Sequence, residues 1–176
     1  MFTILLILIN VIVFFLIYTN KLDVDDLGCS YHLVFNRKDY KRIITSSFTH
    51  EQPIHLIFNM LSLYNVGSFV ESTYGSTKFL IIYFGSMILG KLITLYIRHN
   101  NNNDYAVSIG ASGAICGIMG AYFMFVLYFM GVSGLRYLAR PLISLAMISM
   151  FPGVDGTSHF SSMAVGMAIS CLFIFF

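Results

Sequence analysis

A serine framed by small residues, Gly110-Ala111-Ser112-Gly113, opens a segment apolar enough to lie inside a membrane. A hydroxyl in that setting is either helix glue or a nucleophile. Gly113, Gly117 and Ala121 recur every four residues, a stripe that lets a second helix approach closely, and this is the packing reading. The nucleophile reading needs a base within hydrogen-bond reach, because a neutral imidazole can take the hydroxyl proton and later return it to a leaving group. His159 is the candidate. Beside it run Ser158, Ser162, Gly166 and Ser170, again small residues four apart, which can pack on the first stripe and bring the two side chains together. The alternative, that His159 only bonds a carbonyl between helices, stays open on the sequence. A third cluster is His50, His55 and Asn59, of which His55 and Asn59, four apart, share one helix face. With the backbone N–H of Ser112 at a helix N-terminus, these donors could hold the negative oxygen of a tetrahedral intermediate, or they could be ordinary interhelical hydrogen bonds.

Positioning these groups falls to a chain of 176 residues that is 57% hydrophobic and 10% charged, too apolar for a soluble domain of ordinary makeup. The expected fold is an all-α integral membrane protein forming a single domain over 1–176. At about 20 apolar residues per crossing there is room for six helices with short loops. A formal net charge of +2 without a basic cluster argues against nucleic acid as a partner. Cys29, Cys116 and Cys171 are far apart, and the last two lie in apolar segments where a thiol behaves as a small hydrophobe. Neither a disulfide framework, a metal site nor a cofactor is expected.

Six spans are predicted. The first, 2–18, lacks the basic start and small-residue cleavage site of a signal peptide. A long loop over about 19–49 follows, in which charges interleave with Leu33, Val34, Phe35, Ile43 and Ile44; this favours an ordered structure lying on the bilayer surface. The second span, 53–70, has Pro53 in its first turn and is closed by Glu71. A turn at 72–76 leads to the third span, 79–97, where Lys91 is near enough to an end to snorkel to the interface and is given no chemistry. The polar run 98–104 reads as a solvated linker with His99 at the surface. The fourth span, 112–130, is followed by a turn at 131–134 and the fifth span, 135–151, whose Arg136 and Arg140 can reach headgroups. A break at 152–156 precedes the sixth, 157–176. With six crossings, the second, fourth and sixth spans enter from one face, so His55, Ser112 and His159 lie at matching depth.

Three polar clusters converging on one face resemble a rhomboid intramembrane serine protease, and the resemblance covers essentially the whole chain. It is carried by His55-Leu56-Ile57-Phe58-Asn59-Met60, by the Gly-x-Ser-Gly signature Gly110-Ala111-Ser112-Gly113, and by His159 with Gly166 seven residues on. Arg42, His50, Glu71 with Gly75, and Asp155 also fall where the family places similar residues. The resemblance implies Ser112 as nucleophile and His159 as general base, a dyad without an acidic third member. It also implies an oxyanion hole of His55, Asn59 and the Ser112 N–H, supported by Gly110, Gly113, His50 and Gly166. Arg42 would hold the first loop and Glu71 the end of the second span. Asp155, ahead of Gly156, Thr157 and Ser158, is read as a cap of the sixth helix rather than a group that orients His159. Two positions depart from the family pattern. Cys116 stands one turn past the serine, where the family carries a ring packed on the histidine, and Tyr122 or Phe160 is the candidate to fill that gap. Ser162 stands where glycine is common.

The reaction implied is hydrolysis, through an acyl-enzyme, of a peptide bond in or near the transmembrane segment of a single-span protein. It would take place in a water-filled cavity within the lipid bilayer. The family places its active-site face outside the cytosol, whereas Lys21, Arg37, Lys38, Lys41 and Arg42 in the first loop would turn this chain over by the positive-inside count. The rival from another class is a catalytically silent rhomboid-like protein that binds transmembrane helices for trafficking or degradation. A small transporter built around Lys91 is the weakest reading. Ser112 and His159 at matching depth favour the enzyme.

Overall fold

A computed structural model describes residues 1–149 and 155–175. In chain order its α-helices are α1 (Phe2–Tyr18), α2 (Val24–Leu27), α3 (Arg42–Thr45), α4 (Pro53–Ser62), α5 (Ser68–Tyr74), α6 (Ser76–Asn100), α7 (Ser112–Met130), α8 (Ala139–Ser149) and α9 (Gly156–Phe175). Among the described residues there is no β-strand, only an isolated antiparallel bridge between Cys29 and Ser108. Three helical stretches, Ser76–Asn100, Ser112–Gly134 and Gly156–Phe175, are long and apolar enough to cross a bilayer, so the chain is an integral multi-pass membrane protein. α1 is equally apolar but shorter.

α1, α4 and α7 begin at the residues the sequence predicts, and the other boundaries move for local reasons. Glu71 does not close the second span. A π-helical turn, Leu63–Gly67, carries α4 into α5 as far as Tyr74, and the break is Gly75 alone, whose φ of +79° suits a residue without a Cβ. Glu71 instead lies buried and accepts the Phe2 and Thr3 N–H groups at 2.7 and 2.9 Å, the Thr3 hydroxyl at 2.7 Å and the Ser76 hydroxyl at 2.9 Å. One carboxylate therefore satisfies orphan donors at the start of α1 and pins it to the turn before α6. α6 starts earlier than predicted and continues through Arg98 and His99, so the linker shrinks to 101–111. Beyond α7, Gly131–Leu138 forms a 3-10 helix in place of the simple turn at 131–134. The predicted fifth span and the break after it, 135–156, lie partly outside the described residues, as does residue 176.

Lys91 does not snorkel. It is buried in α6, and its ammonium donates to the hydroxyls of Ser46 and Ser47, in the 3-10 turn that the first loop folds over it. The cost of burying that charge is offset by hydrogen bonds rather than by reaching water. Hydrogen bonds cross the first loop at several points. Arg42, also buried, spans it with bonds to the Asp39 carboxylate at 2.8 Å and to the Asp25 and Gly28 carbonyls at 2.7 and 2.9 Å. The Cys29–Ser108 bridge and a bond from the His32 N–H to the Asp104 carbonyl, 3.0 Å, join it to the linker before α7.

The core is the junction of α6, α7 and α9. A Cβ added to Gly166 of α9 would run into the backbone of Gly117 of α7, and one added to Gly120 would meet the Met163 carbonyl. Gly113 faces the Ser158 and Ser162 hydroxyls, and the Ser170 hydroxyl bonds the Ala121 carbonyl at 3.4 Å. The two small-residue stripes thus meet along their length, as close packing in lipid requires. Ser162, where glycine is common, fits because Gly90 of α6 leaves room for it.

Candidate active site

The seam brings the first residue of α7 opposite the first turn of α9. Ser112 Oγ and His159 Nε2 are 2.9 Å apart, within hydrogen-bond distance, and in the tautomer with the proton on Nδ1 the hydroxyl donates to Nε2. Both side chains line a cavity of about 320 Å³, together with His55, Gly110, Lys91 and Asp155. His159 is 5% exposed, held within protein yet open to that cavity. A hydroxyl and an imidazole at this distance, beside a polar cavity, can generate an alkoxide nucleophile.

The approach to Ser112 is fixed atom by atom. Gly110 has φ +103°, a conformation open to glycine, and a Cβ there would strike the His55 ring. The Gly110 N–H donates to the Ser46 carbonyl at 2.8 Å and the Ala111 N–H to His50 Nε2 at 3.4 Å. His50 is fully buried and packs edge-on against His55, ring centres 5.0 Å apart. Burial pushes the His50 pKa down to about 3, so the ring is neutral and its Nε2 is free to accept. As the first helical residue after its cap Ala111, Ser112 offers a backbone N–H with no intrahelical acceptor, at the positive end of the α7 dipole.

Of the residues singled out in the sequence, the structure brings together Ser112, His159, His55, Gly110, Gly113 and His50, with Gly166 two turns past His159 along the seam of α9. Asn59 stands apart. Its amide donates to the His55 carbonyl at 2.9 Å within α4, and it is not among the residues lining the cavity. Asp155 caps α9 as read, accepting the Ser158 N–H at 3.1 Å. Neither ring proposed to fill the space near Cys116 does so. Tyr122 donates to the Tyr137 carbonyl at 3.0 Å and packs on Phe69, and Phe160 is 72% exposed. Cys116 itself is fully buried and outside the cavity lining.

The sequence reading missed two cations. Lys91 lines the cavity, and Arg98, placed in a solvated linker, forms an ion pair with Asp155 at 2.7 Å whose side chains are 13% and 14% exposed. For Lys91 the available signal was a charge inside an apolar segment, which in a membrane points inward more often than out.

Comparison with known proteins matches residues 37–175 to the Rhomboid domain family. The chain is 29% identical over 174 residues to "Rhomboid protease GluP" of Bacillus subtilis, covering 94% of this chain and 33% of that protein. It is 28% identical over 205 residues to "Rhomboid protease AarA" of Providencia stuartii, covering 98% and 72%. It is 34% identical over 94 residues to "Rhomboid-like protease 3" of Toxoplasma gondii, covering 53% and 34%. The chain therefore spans about a third of the length of the first and last of these relatives.

Proposed function

The chain belongs to the rhomboid family, and from that premise we propose that it is an intramembrane serine protease of six transmembrane helices forming one domain over 1–176. The observation that carries the reading is the 2.9 Å contact between Ser112 Oγ and His159 Nε2 in a polar cavity between membrane helices. His159 takes the Ser112 proton as Oγ attacks the scissile carbonyl. The oxyanion is received by the Ser112 N–H and the His55 side chain, with the α7 dipole behind them. His159 then protonates the departing amine, leaving an acyl-enzyme, and deprotonates the water that hydrolyses it. Asn59 joins the oxyanion hole only if its amide turns away from the His55 carbonyl. The Asp155 carboxylate is occupied by Ser158 and Arg98, which supports a two-residue mechanism. Substrates are single-span membrane proteins whose helix unwinds near the cleavage point, since a peptide bond inside an intact helix is shielded.

The orientation of Asn59 favours the rival reading, a silent helix-binding protein, and one experiment separates the two. Purified protein is treated with a fluorophosphonate probe and tested for cleavage of a reconstituted single-span substrate. Ser112→Ala and His159→Ala are each expected to abolish labelling and to lower turnover by a factor on the order of a thousand or more while the protein stays folded. Labelling that persists in Ser112→Ala, with no cleavage by the parent, leaves the silent reading; retained cleavage in folded His159→Ala sinks the dyad.

A further inference from the structure

We propose that Arg98 is a positioning residue for the Ser112–His159 pair, tying together the two segments that deliver those side chains. The inference rests on the protease reading above. The Arg98 side chain is 13% exposed at the last turn of α6. Its Nη2 pairs with Asp155 Oδ2 at 2.7 Å, and its Nη1 donates to the Ala106 carbonyl at 2.7 Å.

On the α9 side, the other Asp155 carboxylate oxygen accepts the Ser158 N–H at 3.1 Å, and the Asp155 backbone carbonyl accepts the N–H of His159 itself at 3.1 Å. On the α7 side, Ala106 lies in the linker that is then held at Ser108 by Cys29, at Gly110 by Ser46 and at Ala111 by His50, directly before the nucleophile. Arg98 is thus one bonded step from the residue that holds the His159 backbone, and it anchors the near end of the segment that presents Ser112. A guanidinium suits the task because its planar fork of donors can serve a carboxylate and a carbonyl at once, whereas an ammonium is a point charge. Loss of the fork frees both segments together, and small misplacements of reacting groups are costly in rate.

The test measures the rate of Ser112 labelling by a fluorophosphonate, kcat and KM on a single-span substrate, and the thermal midpoint. It compares the full-length parent with Arg98→Met, Arg98→Lys, Asp155→Asn and the Arg98→Met/Asp155→Asn double variant, with rates referred to folded protein. Arg98→Met is expected to slow labelling and lower kcat about tenfold with KM changed less than about twofold. Arg98→Lys recovers part of the rate. The double variant is no slower than Arg98→Met, because both changes break one pair. Parent-rate labelling by folded Arg98→Met, or losses that add in the double variant, overturns the proposal and leaves the protease reading standing. Should Arg98→Met not fold, Asp155→Asn decides alone, since it keeps an acceptor for Ser158 and removes the ion pair; an unchanged rate there overturns the proposal. Parent labelling that does not depend on Ser112 overturns both.

Discussion

One turn past Ser112 the chain carries Cys116, a thiol with no exposed surface and no share in the cavity lining. The core has closed around it, so restoring a ring at this position overpacks the helix junction instead of filling a gap. Cys116→Tyr is expected to cost about 1–3 kcal/mol, read as a lowered thermal midpoint, with activity falling alongside it. A variant as stable as the parent and equally active would show free space beside the thiol. The Ser112–His159 contact was legible in the sequence because small residues at spacing four flank both side chains and let their helices meet. The rotamer of Asn59 was not, since an amide four residues from the His55 carbonyl can bond its own helix as readily as a cavity, and periodicity is the same in both cases. Arg98 was missed for a related reason: a long basic side chain at a helix end looks the same in sequence whether it meets water or folds back on a carboxylate.

At the scale of elements, the spacing of α7 and α9 is set by backbone meeting backbone. Gly166→Ala places a methyl against the Gly117 carbonyl, which has no rotamer to retreat into, so the helices must part and the Ser112–His159 contact must lengthen. Strong loss of both stability and labelling is expected. Gly156→Ala, at the start of the same helix and with no atom of the described residues within 4 Å of the added Cβ, is expected to leave both unchanged within a factor of about two, and equal behaviour of the two variants would disprove the seam. The small-residue stripes behind this seam were visible as spacing-four patterns, and so were the starts of α1, α4 and α7. The ends were less visible because tertiary bonds moved them. Glu71, read as a helix stop, is buried as an acceptor for a different helix, and hydropathy carries no trace of that partner.

For the whole molecule, the first loop, the linker before α7 and the approach to α9 are bonded to one another through Cys29–Ser108, His32–Asp104 and Arg98–Asp155, which sets them on one face. The 3-10 helix after α7 lies at the other end of that span. Cysteines introduced at Tyr105 and Val132, both exposed, are expected to react with a membrane-impermeant maleimide from opposite sides of sealed vesicles. The orientation that the family resemblance implies would place Tyr105 outside the cytosol. Labelling of both from one side would refute α7 as a crossing. Arg42 is buried among carbonyls and the Asp39 carboxylate, while Lys21, Arg37, Lys38 and Lys41 are exposed and keep the positive-inside count opposed to this orientation.

The contact between Gly117 and Gly166 also bears on how the protein meets changing lipid. A joint made of backbone is nearly incompressible, and no side chain in it can be squeezed into a different shape. When acyl chains lengthen or shorten, the cheap response of the helices is to tilt, and α7 and α9 can tilt only as a unit. The serine–histidine separation travels with them. Bilayer thickness should therefore govern how a substrate helix enters the site while leaving the intrinsic reactivity of Ser112 almost untouched.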